Sequence, residues 1–548
     1  MRQGDKMNFD PVLLAPRMQT MRAQGLWRDE TIDLYLRRAL TRFPDKQAVI
    51  AYGIGLADPM RLSYRELDAR VERIARGLAA LGVGHKDVVT FQLPNCWEFV
   101  ALTLACARIG AVANPVMPIF RQRELKFILN FGESKVFIVP KTYRRFAYDA
   151  MAREMRPELP LLQHVIVVGG DGDDSFDALL MGADKPALTG PGLSPDDILL
   201  LMYTSGTTGE PKGVMHTSNT LFAALHAYTE ALELGESDIF LGASPMAHLT
   251  GYGYLVLLPI ILNATTVLQP VWDAREALQI ARAEGVTFSM ASTAFVSDLC
   301  HAVEAGEAKA EKFGKFLCSG APIPPVLIEQ AYELMGMRVC SAWGMTEMGS
   351  ATVTAPALAL SKASVSDGCP IRGMEVKVVD ADGKSLPLGE TGEIQFRGAS
   401  LFAGYLKRPD LNHVDAEGWF ETGDRGFLDA QDYLRIAGRS KDLVIRGGEN
   451  IPVVEIENLL YRHPSVLGVA VVGYPDRRLG ERVCAFVVPR PASAISLADI
   501  ARYFDEQGVA KQYYPERLEI VEDLPRTPSG KIQKYLLREV ARQFGDTA

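Results

Sequence analysis

Several short stretches, far apart in the chain, carry side chains suited to phosphate chemistry. The first is Tyr203–Val214, which reads Y-T-S-G-T-T-G-E-P-K-G-V. Its glycines let backbone N–H groups turn toward an anion, its hydroxyls add donors, and Lys212 adds a positive charge. The stretch is not a Walker A motif, because Lys212 lies between Pro211 and Gly213. A polar surface turn uses the same residue types, but their density after an apolar run favours a phosphate cradle.

Two further stretches could complete a nucleotide site. In Ala342–Glu347, A-W-G-M-T-E, the Trp343 ring could stack on a purine, and Glu347 beside Thr346 could hold Mg²⁺ with phosphates completing its shell. Asp424, in E-T-G-D, could accept hydrogen bonds from ribose hydroxyls. Taken alone, each residue also fits a plain structural role: a core tryptophan, an exposed glutamate and a turn aspartate.

Two single residues are ambiguous without context. His248 lies in P-M-A-H-L-T-G, and a lone histidine in apolar surroundings is usually a core residue. Lys531 lies near the C-terminus in P-R-T-P-S-G-K-I, where an exposed lysine is usually solubilising. The segment 242–251 holds no Asp or Glu. A buried ammonium group would therefore have no charged partner in this segment, at a cost of several kcal/mol.

The elements that must position these stretches alternate between helix and strand. Ser63 and Glu66 form a capping box for a helix to about Leu81, and residues 88–93 and 135–139 are predicted strands with a helix over 98–109 between them. The run 198–202 is a predicted buried strand, followed by the cradle and then by a helix capped by Thr217 or Ser218.

The alternation repeats further along the chain. Strands are predicted at 239–243, 265–268, 287–290, 315–319 and 338–341, with helices at 274–283, 294–303 and 325–334 between them. We therefore expect an α/β protein with two doubly wound sheets, whose ligands bind at the carboxyl ends of the strands.

The residue pattern changes after Ser366, where Gly, Pro and Asp recur between short β runs. This pattern predicts an antiparallel, β-barrel-like subdomain. About a hundred residues after Gly438 are rich enough in helix and strand signals to fold separately. The predicted domains are 1–438, a large N-terminal domain, and 439–548, a small, mobile α+β C-terminal domain.

Composition narrows the class of partner. The chain has 548 residues, 48% hydrophobic and 23% charged, as in soluble globular proteins. Its formal net charge of -9 argues against a nucleic-acid partner. Seven cysteines without a C-x-x-C pair predict reduced thiols in a cytoplasmic protein, not disulfides or zinc. No apolar run is long enough for a transmembrane segment; a homodimer is left open.

The stretch Tyr203–Val214 resembles the signature loop of the adenylate-forming superfamily, which includes acyl-CoA synthetases, luciferases and adenylation domains of peptide synthetases. The motifs W-G-M-T-E, E-T-G-D, G-R-S-K-D and P-R-T-P-S-G-K extend the resemblance over almost the whole chain. Many members have Tyr where this chain has Trp343, and either ring can stack. Within the superfamily the chain looks most similar to cyclohexanecarboxylate–CoA ligases and medium-chain acyl-CoA synthetases.

The resemblance implies a role for each matching residue. It implies Thr204, Lys212, Glu347 and Lys531 as catalytic residues, with Glu347 also the magnesium ligand. Residues that would contact ATP or coenzyme A are Ser205, Gly206, Thr207, Thr208, Gly209, Gly320, Ala321, Pro322, Trp343, Gly344, Met345, Thr346, Asp424, Arg439, Gly447, Gly448 and Glu449. His248 and Gly344 would line the acyl pocket, and Lys441 would be the hinge between the domains. A bulky aromatic at the position of Gly344 closes the pocket in acetate-activating members, so glycine here implies a larger, apolar acid.

The function that the resemblance implies uses ATP, Mg²⁺ and coenzyme A. A small carboxylic acid is joined to AMP with release of pyrophosphate, and the acyl group then passes to coenzyme A after the small domain rotates. Two alternatives stay open: an adenylating enzyme that delivers its acyl group to a carrier protein or another acceptor, and a nucleotide-binding regulatory protein without catalysis. Consumption of coenzyme A would distinguish the predicted ligase from the first alternative, and release of AMP would exclude the second.

Overall fold

The computed structural model describes residues 7–54, 58–182, 185–204, 211–320, 323–439, 444–446, 449–451, 453–476, 479–507, 509, 511–527 and 530–546. Within these ranges the chain folds into two large sheets, a four-stranded antiparallel sheet and a C-terminal sheet, with helices packed between and around them. The expected α/β class is confirmed.

The nine-stranded sheet is parallel at its centre and antiparallel at both edges. Its strands, from one edge to the other, are Cys369–Pro370, Gly349–Val353, Arg338–Met345, Lys315–Ser319, Phe288–Ala291, Ile239–Gly242, Thr265–Leu268, Gln47–Ala51 and Met60–Ser63. The predicted strands from 239 onward therefore lie in one sheet. The first two strands of the chain, which the sequence analysis did not predict, also join this sheet.

The seven-stranded sheet carries the predicted cradle at one edge. Its strands, in order, are Gly404–Tyr405, Lys212–Thr217, Ile198–Thr204, Val112–Pro115, Val88–Phe91, Ser134–Pro140 and His164–Val168. The predicted strand at 198–202 is confirmed, and it runs parallel to its neighbour Val112–Pro115. The prediction that the cradle leads directly into a helix was wrong: the antiparallel strand Lys212–Thr217 comes first.

The remaining strands form the four-stranded sheet, Met374–Val379, Gly392–Gly398, Phe420–Leu428 and Leu434–Arg439, and the C-terminal sheet, Glu449–Ile451, Val444–Arg446, Gly480–Pro489 and Val466–Asp476, with Arg517–Ile520 paired to Gly480–Pro489. A two-stranded hairpin joins Thr142–Tyr143 to Phe146–Ala147. The four-stranded sheet is the antiparallel subdomain expected after Ser366.

The helices match the apolar periodicity of the sequence. The α-helices are Met18–Ala23, Ile32–Arg42, Tyr64–Ala80, Trp97–Arg108, Gln122–Phe131, Tyr148–Met155, Ser218–Ala231, Leu249–Gly251, Leu258–Leu262, Ala274–Glu284, Thr293–Glu304, Pro325–Met335, Ala359–Lys362, Val453–Tyr461, Leu497–Glu506 and Lys534–Arg542. Two π-helical turns lie at Asp177–Met181 and Tyr252–Leu257, and 3₁₀ turns at Arg156–Glu158, Pro356–Leu358, Pro409–Leu411, Lys511–Tyr513 and Gln543–Asp546. In none of the described helices is there an apolar stretch long enough to cross a bilayer.

Local capping explains where two helices begin. The Ser63 side chain accepts a hydrogen bond from the Glu66 backbone while the Glu66 carboxylate accepts from the Ser63 N–H, which is the predicted capping box. Thr217 caps the helix Ser218–Ala231 in the same way with Thr220. The second cap marks where the strand Lys212–Thr217 ends and the helix begins.

Candidate active site

The cradle is held between two paired strands. Thr204 and Lys212 lie directly opposite each other at the end of the antiparallel hairpin where the connecting segment leaves and re-enters the sheet. Ser205, Gly206, Thr207, Thr208 and Gly209, all expected to contact phosphate, lie outside the described residues. The Lys212 ammonium lies 4.7 Å from the ring centroid of Tyr405, a cation–π contact that fixes one end of the cradle.

The predicted adenine and ribose residues touch each other. The indole N–H of Trp343 donates a 2.8 Å hydrogen bond to Oδ2 of Asp424, 81 residues later. Both residues are buried, and the Asp424 backbone N–H donates to Oγ1 of Thr422. The sequence treated Trp343 and Asp424 as separate motifs, and the structure brings them together as one buried pair.

Glu347 is held by a residue that the sequence analysis missed. The Tyr405 hydroxyl donates a 2.6 Å hydrogen bond to Oε1 of the buried Glu347 carboxylate, and the Phe402 N–H donates to the Glu347 backbone oxygen at 2.7 Å. Burial, and then the Glu347 charge, raise the pKa of Tyr405 well above its usual range, so the hydroxyl keeps its proton and acts as a donor. Nothing in the local sequence around Tyr405 signals this role.

A buried arginine supports the loop that carries Tyr405. Arg17 donates to the backbone oxygens of Gly398, Leu401 and Phe402 at 2.8–3.0 Å. Burial lowers the pKa of Arg17 to about 9, so the guanidinium is still protonated at neutral pH. A single charge from the N-terminal segment therefore satisfies three carbonyls of this loop, which without it would be buried polar groups.

His216 fixes the backbone of the second motif. Its Nε2 lies 2.7 Å from the Thr346 backbone oxygen and its Nδ1 lies 3.0 Å from Oγ1 of Thr220. Burial lowers the pKa of His216 to about 4. The neutral ring must carry its proton on Nε2, because a carbonyl oxygen can only accept. This contact ties the cradle hairpin to the W-G-M-T-E strand, and no sequence motif marked it.

Gly344 has a steric reason to be glycine that the sequence does not reveal. A Cβ built there would lie 1.9 Å from the Gly349 carbonyl oxygen and 2.4 Å from the Ser350 Cα, where the strand register shifts. Close approach of the two strands is sufficient to require glycine. That Gly344 also opens the acyl pocket stays a prediction. Met345, the next residue, is half-buried in the same strand.

The C-terminal lysine reaches the large domain. A Cβ on Gly320 would lie 2.4 Å from Cε and 3.3 Å from Nζ of Lys531, so the lysine side chain crosses directly over this glycine. Burial, and then the Lys531 charge, lower the pKa of His248 to about 4. Lys531, Gly320 and His248 come from three distant stretches, and the structure brings them together.

Other predicted residues are only partly described. Arg439 ends a strand opposite Asp424, and Glu449 opens a short strand, but their side chains are not described. Ala321, Pro322, Lys441, Gly447 and Gly448 lie outside the described residues. Their predicted roles at the adenine, the hinge and the pantetheine tunnel stay predictions.

The described residues fit a magnesium ion held mainly by a substrate. No cluster of three or more His, Cys, Asp or Glu side chains that could bind a metal occurs among them. Mg²⁺ usually takes one or two protein carboxylates, with phosphates and water completing its octahedron. The Tyr405 hydroxyl contacts Oε1 of Glu347. This bond does not use Oε2 of Glu347, so that oxygen could bind Mg²⁺. One carboxylate oxygen from the protein is compatible with a Mg·nucleotide complex, in which phosphates and water supply the other ligands.

The chain matches two family models and is similar in sequence to known ligases. Residues 36–406 match the model "AMP-binding enzyme", and residues 455–531 match "AMP-binding enzyme C-terminal domain". The chain is 35% identical over 530 residues to the medium-chain fatty-acid–CoA ligase of Escherichia coli K12, covering 95% of this chain and 92% of that protein. It is 31% identical to the 2-hydroxy-7-methoxy-5-methyl-1-naphthoate–CoA ligase of Streptomyces carzinostaticus, with 96% of both chains covered.

A solved structure shows the same fold. The crystal structure of the anthranilate CoA ligase AuaEII in complex with anthranoyl-AMP superposes with a TM-score of 0.85 at 26% identity. The match covers 94% of this chain and 98% of that chain. The likeness therefore spans both the large N-terminal part and the small C-terminal part.

Proposed function

The chain belongs to the AMP-binding enzyme family and is an AMP-forming carboxylic acid–CoA ligase; from this premise we propose how its own residues divide the two half-reactions and which acids it takes. The observation that carries the proposal is the position of Lys531, whose side chain crosses Gly320 and acts electrostatically on His248. This approach supports an arrangement of the small domain that forms the adenylate.

In the first half-reaction a carboxylate oxygen of the acid attacks the α-phosphorus of ATP, and the bond to pyrophosphate breaks. Negative charge grows on the phosphoryl oxygens, and the Lys531 and Lys212 ammonium groups stabilise it together with donors of the cradle. Such a pre-organised contact is worth about a hundred- to a thousand-fold in rate. The charge of a bound Mg²⁺ would neutralise phosphate charge, and Glu347 would hold it.

Trp343, Asp424 and Tyr405 position the nucleotide end of this reaction. Asp424 would accept hydrogen bonds from the ribose hydroxyls, and its carboxylate also holds the Trp343 indole. Trp343 would in turn be fixed beside the adenine by that same bond. Tyr405 orients Glu347 and also contacts Lys212, so it couples the metal ligand to the cradle.

In the second half-reaction the sulfur of coenzyme A attacks the acyl carbonyl carbon, and AMP leaves with the electron pair of the broken C–O bond. Lys531 occupies the site in the described arrangement, so the small domain must rotate before the thiol can enter. We propose Lys441 as the pivot and Gly447, Gly448 and Glu449 as the wall of the tunnel that replaces the lysine loop.

The acid is proposed to be larger than acetate and mainly apolar, either medium-chain or cyclic. The relatives named for medium-chain fatty acids and for a naphthoate support both options. The naphthoate in the name of the second relative carries a 2-hydroxyl group, which supports including hydroxylated aryl acids among the candidates.

The deciding experiment measures acid-dependent release of AMP with and without coenzyme A. The panel is hexanoate, octanoate, palmitate, benzoate, cyclohexanecarboxylate and salicylate, with acetate as the small reference. We expect AMP release that requires both the acid and coenzyme A. Acid-dependent pyrophosphate exchange without any thioester would instead favour transfer to a carrier protein. We place the reaction in the cytoplasm, which the seven thiols without disulfides support.

A further inference from the structure

The loop that carries Lys531 enters the large domain at a site built from very small groups. A Cβ on Gly530 would lie 2.1 Å from Oγ of Ser292 and 3.2 Å from the Phe295 ring. One residue later, the Lys531 stem crosses Gly320 at the 2.4 Å already noted. Real Cβ atoms do not approach other atoms this closely, so two glycines, one on each domain, make the contact possible.

Thr527 holds Gly530 and Lys531, the two described residues of the loop that act together as a plug. Thr527 makes three hydrogen bonds to these residues. Its N–H donates to the Lys531 backbone oxygen at 2.7 Å, its backbone oxygen accepts from the Gly530 N–H at 2.8 Å, and its Oγ1 accepts from the Lys531 N–H at 3.0 Å. Gly530 has φ +82°, which other residues rarely adopt. The position of Gly530 therefore fixes the direction in which Lys531 leaves the loop.

The large domain presents a surface shaped for this plug. Ser292 and Phe295 lie at the start of the helix Thr293–Glu304, and both are buried. The Ser292 hydroxyl makes no hydrogen bond with the described part of the chain, so its fit against Gly530 is steric. Gly320 has φ +85° at the end of the strand Lys315–Ser319.

We propose that Ser292, Phe295 and Gly320 form a seat, here called the lysine seat, that admits the Gly530–Lys531 plug only for adenylate formation. Gly320 and the seat residues are positioning residues that act through Lys531. The proposal rests on the proposed role of Lys531, and it adds that a methyl group at Gly320 excludes the lysine although every charge in the site remains.

The first test is Gly320→Ala, with Gly389→Ala as the matched control. Gly389 has nearly the same φ, +86°, but nothing lies within 4 Å of a Cβ built there. Acyl-AMP formation is measured as acid-dependent pyrophosphate exchange, and thioester formation is measured from supplied acyl-AMP and coenzyme A. We expect Gly320→Ala to lose about a hundredfold or more in the first rate and less than about fivefold in the second. Equal losses in both rates, or no loss in the first, would overturn the proposal.

The second test does not depend on catalysis. A Cβ on Gly530 would lie 3.3 Å from the Ser292 Cβ, slightly below the roughly 3.5–4.5 Å that disulfides span, so a small shift of the loop would allow a disulfide. The double variant Ser292→Cys with Gly530→Cys should therefore crosslink on mild oxidation, as mapped by mass spectrometry against each single variant.

The two tests separate the seat from the proposed function. Failure of the pair to crosslink, with or without ATP and acid, would refute the seat even if the enzyme is active. A wild-type chain that activates no acid would refute the proposed function, while the crosslink would still show that the plug enters the seat.

Discussion

The hydrogen bond from Tyr405 to Glu347 offers a sharp test of the nucleotide site. Tyr405→Phe removes the 2.6 Å bond and keeps the ring that faces the Lys212 ammonium, so the change isolates one hydroxyl. A hydrogen bond to a charged group is worth about 1.5–3 kcal/mol, and the carboxylate here is buried. Because ~1.4 kcal/mol corresponds to a factor of ten, kcat/KM for Mg·ATP should fall by roughly ten- to a hundredfold.

The assay is pyrophosphate exchange at saturating acid, with Mg·ATP and free Mg²⁺ varied separately. The variant should also need more free Mg²⁺ for half-maximal rate, since its Glu347 carboxylate is no longer oriented. Tyr332→Phe is the control, because that side chain is 43% exposed and far less constrained. If Tyr405→Phe stays within twofold of the wild type in kcat/KM and in its Mg²⁺ requirement, Tyr405 does not position Glu347.

Three further outcomes are expected. Lys531→Ala should block acyl-AMP formation by about a hundred- to a thousand-fold and largely spare thioester formation from supplied acyl-AMP; an equal fall in both would contradict the division of labour. Gly344→Ala should lower the thermal midpoint and the rate with every acid, including acetate, because its Cβ would lie 1.9 Å from a backbone oxygen; a selective loss of larger acids would instead support pocket gating. Burial lowers the pKa of His216, His226 and His248 from 6.5 to about 4, so between pH 4 and 6.5 the unfolded chain binds more protons than the folded chain. The free energy of unfolding should therefore rise from about pH 4 to 6.5, by up to ~1.4 kcal/mol per pH unit for each histidine, and then level off. A thermal midpoint that is flat over this range would contradict the argument, and His226→Gln should reduce the slope.

Local signals in the sequence predicted the elements well. The capping box at Ser63, the strands at 265–268 and 315–319, and the helix that begins at Pro325 were all correct, because each depends on residues within one or two turns. The strand after the cradle was missed because it does not depend on such local signals. The run K-G-V-M-H-T has mixed polarity, and its strand structure comes from pairing with the preceding strand.

The contacts of the candidate site were harder to predict. The motifs named Trp343, Asp424 and Glu347 individually, but not the bonds that join them to one another or to Tyr405. These bonds span 81 and 58 residues and depend on how separate sheets pack. Arg17 and His216 hold backbone carbonyls, which every residue possesses, so no pattern of side chains marks their partners.

The two early strands Gln47–Ala51 and Met60–Ser63 have a consequence for synthesis of the chain on the ribosome. They form one edge of the nine-stranded sheet, in which Gln47–Ala51 pairs with Thr265–Leu268. The Gln47 backbone oxygen accepts a hydrogen bond from Thr265, 218 residues later. At 5–20 residues per second, a ribosome needs roughly 10 to 45 seconds to supply that partner. Throughout this interval an apolar strand of the newborn polypeptide has a bare edge, which is the kind of surface that recruits chaperones or other nascent chains.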